Sequence, residues 1–205
     1  MEDVLSVYRL PYNPLLPVIC MDESSKQLVG EVHAPIPVAP GRGKIIDHEY
    51  VRNGVAMLFV EIEPLSGRRH VEVTERRTRQ DWARFIKAML EERYPDAIKV
   101  RLVLDNLNIH ATSLYETFPP AEARRLADRL EIHYTPKHGS WLNIAEIELS
   151  ALNSQCLRRR IADIESMRRE ISAWQQHRNT RGVPVNWRLT AEDARIKLLR
   201  LYPKL

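Results

Sequence analysis

The chain has 205 residues, of which 44% are apolar and 28% charged, with a formal net charge of +4 at pH 7. That size and balance suit one sizeable domain with a buried core. No apolar run approaches the 18 or more residues of a membrane span, and the acidic start MEDVLSVYRL is no signal peptide. Cys20 and Cys156 form neither a metal-spaced pair nor a disulfide framework, so a reducing, cytoplasmic setting is expected, with no membrane partner.

Residues 1–16 read as a short helical or irregular lead, punctuated by Pro11 and Pro14. PVICMDES follows as a short buried strand ending at Asp22. Residues 33–44, HAPIPVAPGRGK, are rich in Pro and Gly and are expected to be loop. GVAMLFVEIEP and RRHVEVTE are two further strands around a turn at Ser66-Gly67, the second placing Val71 and Val73 on one face.

Thr78 is the expected N-cap of a helix in which Trp82, Phe85, Ile86, Met89 and Leu90 form one apolar stripe. Tyr94-Pro95-Asp96 ends it, and the strand KVRLVLDN delivers Asp105. A helical region broken at Pro119-Pro120 leads to the strand EIHYTP. The loop KHGSWLN then opens a helix expected from about Trp141 to Arg159. Another helix, from about Asp163 to His177, aligns Ile164, Met167, Ile171 and Trp174, and a last one starts near Thr190. The order predicts an α/β layout with a mixed sheet and a helical C-terminal third.

Charge is unevenly spread. From Cys156 to the C-terminus there are twelve Lys or Arg against five Asp or Glu, so the front of the chain is net acidic. A carboxylate-bearing front and a basic tail suit a protein that holds cations and a polyanion together. Solvated helix faces would give the same count.

Two strands end in an aspartate, Asp22 and Asp105. Ligands of open α/β sheets bind outside the carboxyl ends of strands, so neighbouring strands would make these carboxylates converge. Close like charges call for a cation, and oxygen donors favour Mg²⁺ or Mn²⁺ over zinc. A third acid would complete a two-ion site for phosphodiester displacement. The helix SWLNIAEIELSALNSQCL offers Glu146 and Glu148, both at the edge of the Ala145, Leu149, Leu152 and Cys156 stripe. Helical position leaves the choice open. No Gly-x-Ser-x-Gly elbow is present, and GRGK lacks the spacing of a phosphate-cradling loop.

Together VICMDES, VLDNLNIH and HYTPKHGSWLNIAEIELSAL resemble the catalytic domain of DDE transposases, and more narrowly the bacterial insertion-sequence branch related to mariner elements. The resemblance covers about Met1 to Pro203. It implies a ribonuclease-H-like fold, a mixed five-stranded sheet flanked by helices with a helical C-terminal extension. The expected division is a lead over 1–16, a catalytic core over 17–160 and a helical extension over 161–205 packed on that core.

The resemblance also places the three catalytic and metal-binding acids at Asp22, Asp105 and Glu146, the last carried by Leu142-Asn143-Ile144-Ala145-Glu146. It implies two Mg²⁺ ions, for which Mn²⁺ can substitute. Many relatives carry Pro-Ile where this chain has Ile144-Ala145. They also space the second and third acids more closely, and FPPAEARR is where the surplus is expected.

Asn106, His110 and His138 are the expected active-site neighbours, and Lys137, Arg158, Arg159 and Arg160 the expected DNA contacts. The implied partners are double-stranded DNA as transposon ends and target, a second copy of the chain, and a separately encoded helix-turn-helix half. The implied location is the bacterial cytoplasm, at the nucleoid. With Met1 just ahead of the first catalytic strand, the chain reads as a catalytic domain without its DNA reader: a fragment, half of a split frame or a decaying copy. The alternative reading is a catalytically silent truncated transposase that acts only as a DNA-binding or inhibitory partner.

Overall fold

The computed structural model describes residues 1–34, 36, 39–41, 43, 48–105 and 110–202, the side chains of residues 110, 111 and 201 excepted. Helix α1 spans Glu2–Tyr8 and precedes strands β1 (Val18–Glu31), β2 (Tyr50–Glu63) and β3 (Arg68–Thr74). Helix α2 (Arg79–Ala88) leads through a π turn at Met89–Arg93 to β4 (Val100–Leu104). Helices α3 (His110–Thr117) and α4 (Pro120–Asp128) then lead to β5 (Leu130–Tyr134). A 3₁₀ turn at Ser140–Leu142 opens the last part, helices α5 (Ile144–Gln155), α6 (Ile164–Arg181) and α7 (Ala191–Lys197).

The five strands form one mixed sheet in the order β3-β2-β1-β4-β5. β1 pairs antiparallel with β2, and β2 with β3. β4 runs parallel to both β1 and β5. Period-two alternation sends Ile19, Met21, Phe59, Leu102 and Leu104 to a core shared with Trp82, Phe85 and Ile86 of α2. The opposite face of the sheet carries Leu58, Val60, Val71 and Val73 against α5 and α6, and Cys20, Ile62 and Val103 against α1 and the start of α5. Both faces are therefore covered by helices, which bury the centre of the mixed sheet on both sides.

Three expectations need correcting. β1 does not end at Asp22: it continues to Glu31, paired with β2 along its length from Cys20↔Ile62 to Glu31↔Tyr50. Backbone pairing with β2 carries the polar residues 23–27, which have no apolar alternation to announce a strand. The helix expected from Trp141 to Arg159 is interrupted, because Asn143 is extended (φ −78°, ψ 113°) and its side chain caps α5 by accepting from Ala145 N–H. The helix expected to end near His177 runs on to Arg181, where Gly182 at φ 54° takes up the left-handed turn that closes it. Thr78 does cap α2, in a reciprocal capping box with Asp81.

Candidate active site

Two strands set the geometry. In the parallel pair of β1 and β4, Cys20 lies opposite Val103. Two residues further along this register, Asp22 comes level with Asp105. Alternation puts both on the face of the sheet that carries Cys20, Val103 and the first turn of α5. Asp105 follows the last residue of β4, and the sheet there loses a strand beside β1, so a cleft opens. It has a volume of about 350 Å³, and Asp22, Asp105 and Glu146 all line it.

Each aspartate has a fixed partner. Asp22 Oδ1 accepts from the Glu23 N–H at 2.7 Å. Asp105 Oδ1 accepts from the hydroxyl of Thr135 at 2.9 Å, and the buried Thr135 in turn continues the ladder past β5 by donating its N–H to Leu104 O at 3.0 Å. Burial pushes the Asp22 carboxyl up to about 7, and the charges of Asp105, Glu146 and Glu23 add to the rise, while the Glu23 N–H works against it.

On α5 the two glutamates separate. Residues two apart on a helix lie about 200° apart around its axis. Glu148 is 1% exposed and turned into the core, where its carboxylate meets Arg69 Nε of β3 at 2.7 Å and Arg178 Nη2 of α6 at 3.2 Å. Glu146 sits in the first turn, exposed, on the wall of the cleft.

The donor set suits a hard divalent cation: three carboxylates and no thiolate or imidazole among the acids that converge. Such an ion would offset the burial, and secondarily the repulsion from Asp105, Glu146 and Glu23, that raise the Asp22 carboxyl. As they stand, however, the acids share the cleft without closing on a point. Among the described residues no three His, Cys, Asp or Glu groups are close enough to hold a metal.

The other expected residues fare differently. Asn106 lies outside the described residues, and of His110 only the backbone is described, at the start of α3. Lys137 and His138 are exposed on the turn between Pro136 and Gly139, with His138 at φ 63°, and neither is among the residues lining the cleft. Arg158, Arg159 and Arg160 do not present one patch. Arg160 pairs with Glu31 and donates to Glu49 O at 3.0 Å. Arg159 pairs with Glu170 beside Arg158, His177 and Trp174 in a separate groove of about 460 Å³. Trp141 is 42% exposed, whereas Trp174 is in the core and its indole N–H donates to Gln155.

Sequence reading missed four residues at or behind the cleft. Arg77 lines it and pairs with Glu23 through Nε–Oε2 at 3.4 Å. Trp82, read as core, also forms part of its wall, as does Ser140. Thr135 stands behind Asp105. The signal for Arg77 was weak, one basic residue in the run ERRTR ahead of a helix cap. For Thr135 there was none, since its partner is 30 residues away in sequence.

Comparison with known proteins adds a family. A model of the DDE superfamily endonucleases matches residues 17–168. No curated protein sequence matches significantly. Among solved structures, the Mos1 mariner paired-end complex with Mn superposes with a TM-score of 0.55 at 18% identity, over 88% of this chain and 55% of that one. A pre-cleavage Mos1 transpososome gives the same values. The Mos1 strand transfer complex gives 0.52 at 15% identity, over 88% and 54%. The chain thus spans about half the length of these structures. At such identities the likeness is one of fold, the ribonuclease-H-like mixed sheet with flanking helices.

Proposed function

The chain belongs to the DDE superfamily endonucleases, and we propose that it is the catalytic domain of a transposase that cuts DNA strands and joins the freed ends to a target. The observation that carries this reading is the convergence of Asp22, Asp105 and Glu146 on one cleft at the end of β4, with Glu148 committed elsewhere. The similar solved structures are paired-end, pre-cleavage and strand transfer complexes of Mos1, which supports transposon DNA as the substrate. A bacterial insertion-sequence origin rests on the three motifs alone and is part of the proposal.

In this reading Asp22, Asp105 and Glu146 would hold two Mg²⁺, or Mn²⁺ in their place. When bound, the ions supply Lewis-acid activation of the attacking oxygen and stabilisation of the leaving oxygen. The chain's own residues do the rest. Thr135 and the Glu23 N–H orient the two aspartates. Arg77, held toward the cleft by Glu23, faces a non-bridging phosphate oxygen. Trp82 and Leu104 give the cleft an apolar wall that limits the water around the phosphate. Attack of water on phosphorus displaces a 3′-oxygen, which leaves as a hydroxyl. In the second step that hydroxyl attacks a target phosphate in line and forms a new phosphodiester bond, while the 3′-oxygen of the target strand leaves as a hydroxyl, with no covalent link to the protein.

The test is nicking of a supercoiled plasmid in Mn²⁺ by the native chain and by Asp105→Ala. Nicking by the first alone is the expected result. Equal nicking by both would discard the site. Nicking by neither would move the reading to a catalytically silent DNA-binding partner.

A further inference from the structure

One side chain ties the start of α5, which carries the third acid, to β1, which carries the first. Asn143 is fully buried. Its Nδ2 donates to the carbonyl of Met21, the residue before Asp22, at 2.8 Å. Its Oδ1 accepts from Ala145 N–H at 3.2 Å, and its carbonyl accepts from Glu146 N–H at 3.1 Å. One residue therefore holds the backbone next to Asp22 with one atom and the backbone of Glu146 with another. Tyr8 grips the same link from α1: its hydroxyl donates to Leu142 O at 2.8 Å and accepts from Ile144 N–H at 3.3 Å, the two residues flanking Asn143.

Capping does not account for the choice of asparagine. An N-cap needs a side-chain oxygen, which Ser, Thr or Asp supplies equally well. The amide nitrogen is used for Met21 O alone. It spans two elements 122 residues apart in sequence, and it lands beside the first acid rather than elsewhere on the strand.

We infer that Asn143 is a positioning residue: braced by Tyr8, it sets the separation of Glu146 from Asp22 so that both can bind one divalent ion. The inference rests on the reading of Asp22 and Glu146 as metal ligands. Asn143 itself touches neither metal nor DNA and acts through Glu146. Partners that orient metal ligands change affinity by about 10–100-fold when removed, so the effect is measurable on binding alone.

The experiment uses Asn143→Ser, which keeps a capping oxygen and removes the donor to Met21, in both the native and the Glu146→Gln backgrounds. Mn²⁺ affinity is followed by electron paramagnetic resonance of the free ion, and melting temperature is recorded in chelator. Asn143→Ser is expected to weaken Mn²⁺ binding about tenfold when Glu146 is present and by less than about twofold when it is Gln. Equal weakening in both backgrounds, or a lowered melting temperature with unchanged affinity, would reduce Asn143 to a structural bridge and overturn the inference. A Glu146→Gln change without effect on Mn²⁺ affinity would instead overturn the site on which it rests. Should Asn143→Ser fail to fold, Tyr8→Phe removes the brace, and with it the 3.4 Å contact of the hydroxyl with Cys20 Sγ, while the bond from Asn143 to Met21 stays in place. An affinity loss that again depends on Glu146 is expected, and no loss would overturn the inference.

Discussion

Replacing Asp22 with Asn should make the metal-free protein more stable while removing its activity. The carboxyl of Asp22 titrates at about 7 instead of an ordinary 3.8, chiefly because it is buried and secondarily because Asp105, Glu146 and Glu23 surround it. Each unit of pKa corresponds to about 1.4 kcal/mol, so ionising this group in the folded state costs at most about 4 kcal/mol. Asp22 is only partly buried, and water screening reduces the figure to about 2 kcal/mol. The sign follows from proton binding. Between pH 3.8 and 7 the folded state keeps a proton that the unfolded state has lost, so native stability falls as pH rises through this window and levels off above it. Asn keeps the oxygen that accepts from Glu23 N–H and carries no charge. Its advantage should be small near pH 4, grow to about pH 7 and then stay constant. For a chain of this length, about 2 kcal/mol raises the melting temperature by about 4–8 °C. The assay is thermal denaturation in chelator from pH 4 to 8.5, native against Asp22→Asn. A variant no more stable than the native chain at pH 8, or a gain that is the same at pH 4 and pH 8, would refute the reasoning.

The two glutamates of α5 should respond oppositely: Glu146→Gln leaves stability within about 0.5 kcal/mol and removes Mn²⁺-dependent nicking. Glu148→Gln instead strands Arg69 and Arg178 and destabilises by about 3–5 kcal/mol, both read by chemical denaturation. Thr135→Val keeps the shape of the side chain but withdraws the donor to Asp105. It should reduce nicking about 10–100-fold with a stability loss of about 1–2 kcal/mol, and unchanged nicking would show that Asp105 needs no such support. Arg77→Ala removes a charged contact of about 1.5–3 kcal/mol, so kcat/KM for plasmid nicking should fall about 10–100-fold while Mn²⁺ affinity stays within about twofold. A fall in metal affinity instead would place Arg77 behind Glu23 rather than on the phosphate.

Legibility in the sequence followed the range of the interactions. Helix α2 was readable because its cap and its stripe are local: Thr78 with Asp81, then Trp82, Phe85 and Ile86 on one side. β4 was readable as a short apolar run that ends where the polar chain begins. The outer half of β1 was not, because residues 23–27 gain their strand conformation from β2, whose pairing residues lie 28 or more positions away. Glu146 and Glu148 looked alike for the same reason. What separates them is Arg69 on β3 and Arg178 on α6, and no pattern near the helix announces either. The arginine run at 158–160 shows the limit of counting charge. Arg159 and Arg160 have acidic partners at Glu170 and Glu31, so the basic tail is partly neutralised within the fold.

These constraints meet on α5. Near its middle, Glu148 is held between two arginines from different elements, an arrangement with little tolerance for displacement because any shift would leave buried charge uncompensated. At its first turn, Asn143 fixes the backbone to β1. Glu146 lies between these two anchors, three residues after one and two before the other. Its Cα is therefore fixed relative to Asp22, while its side chain, exposed on the cleft wall, is not. On the proposed reading, a cation would draw the carboxylates together by rotation of the Glu146 side chain, with the helix held in place by its two anchors. The same fold tolerates an Asp22 that is costly to ionise, because that cost is what a bound divalent ion would relieve.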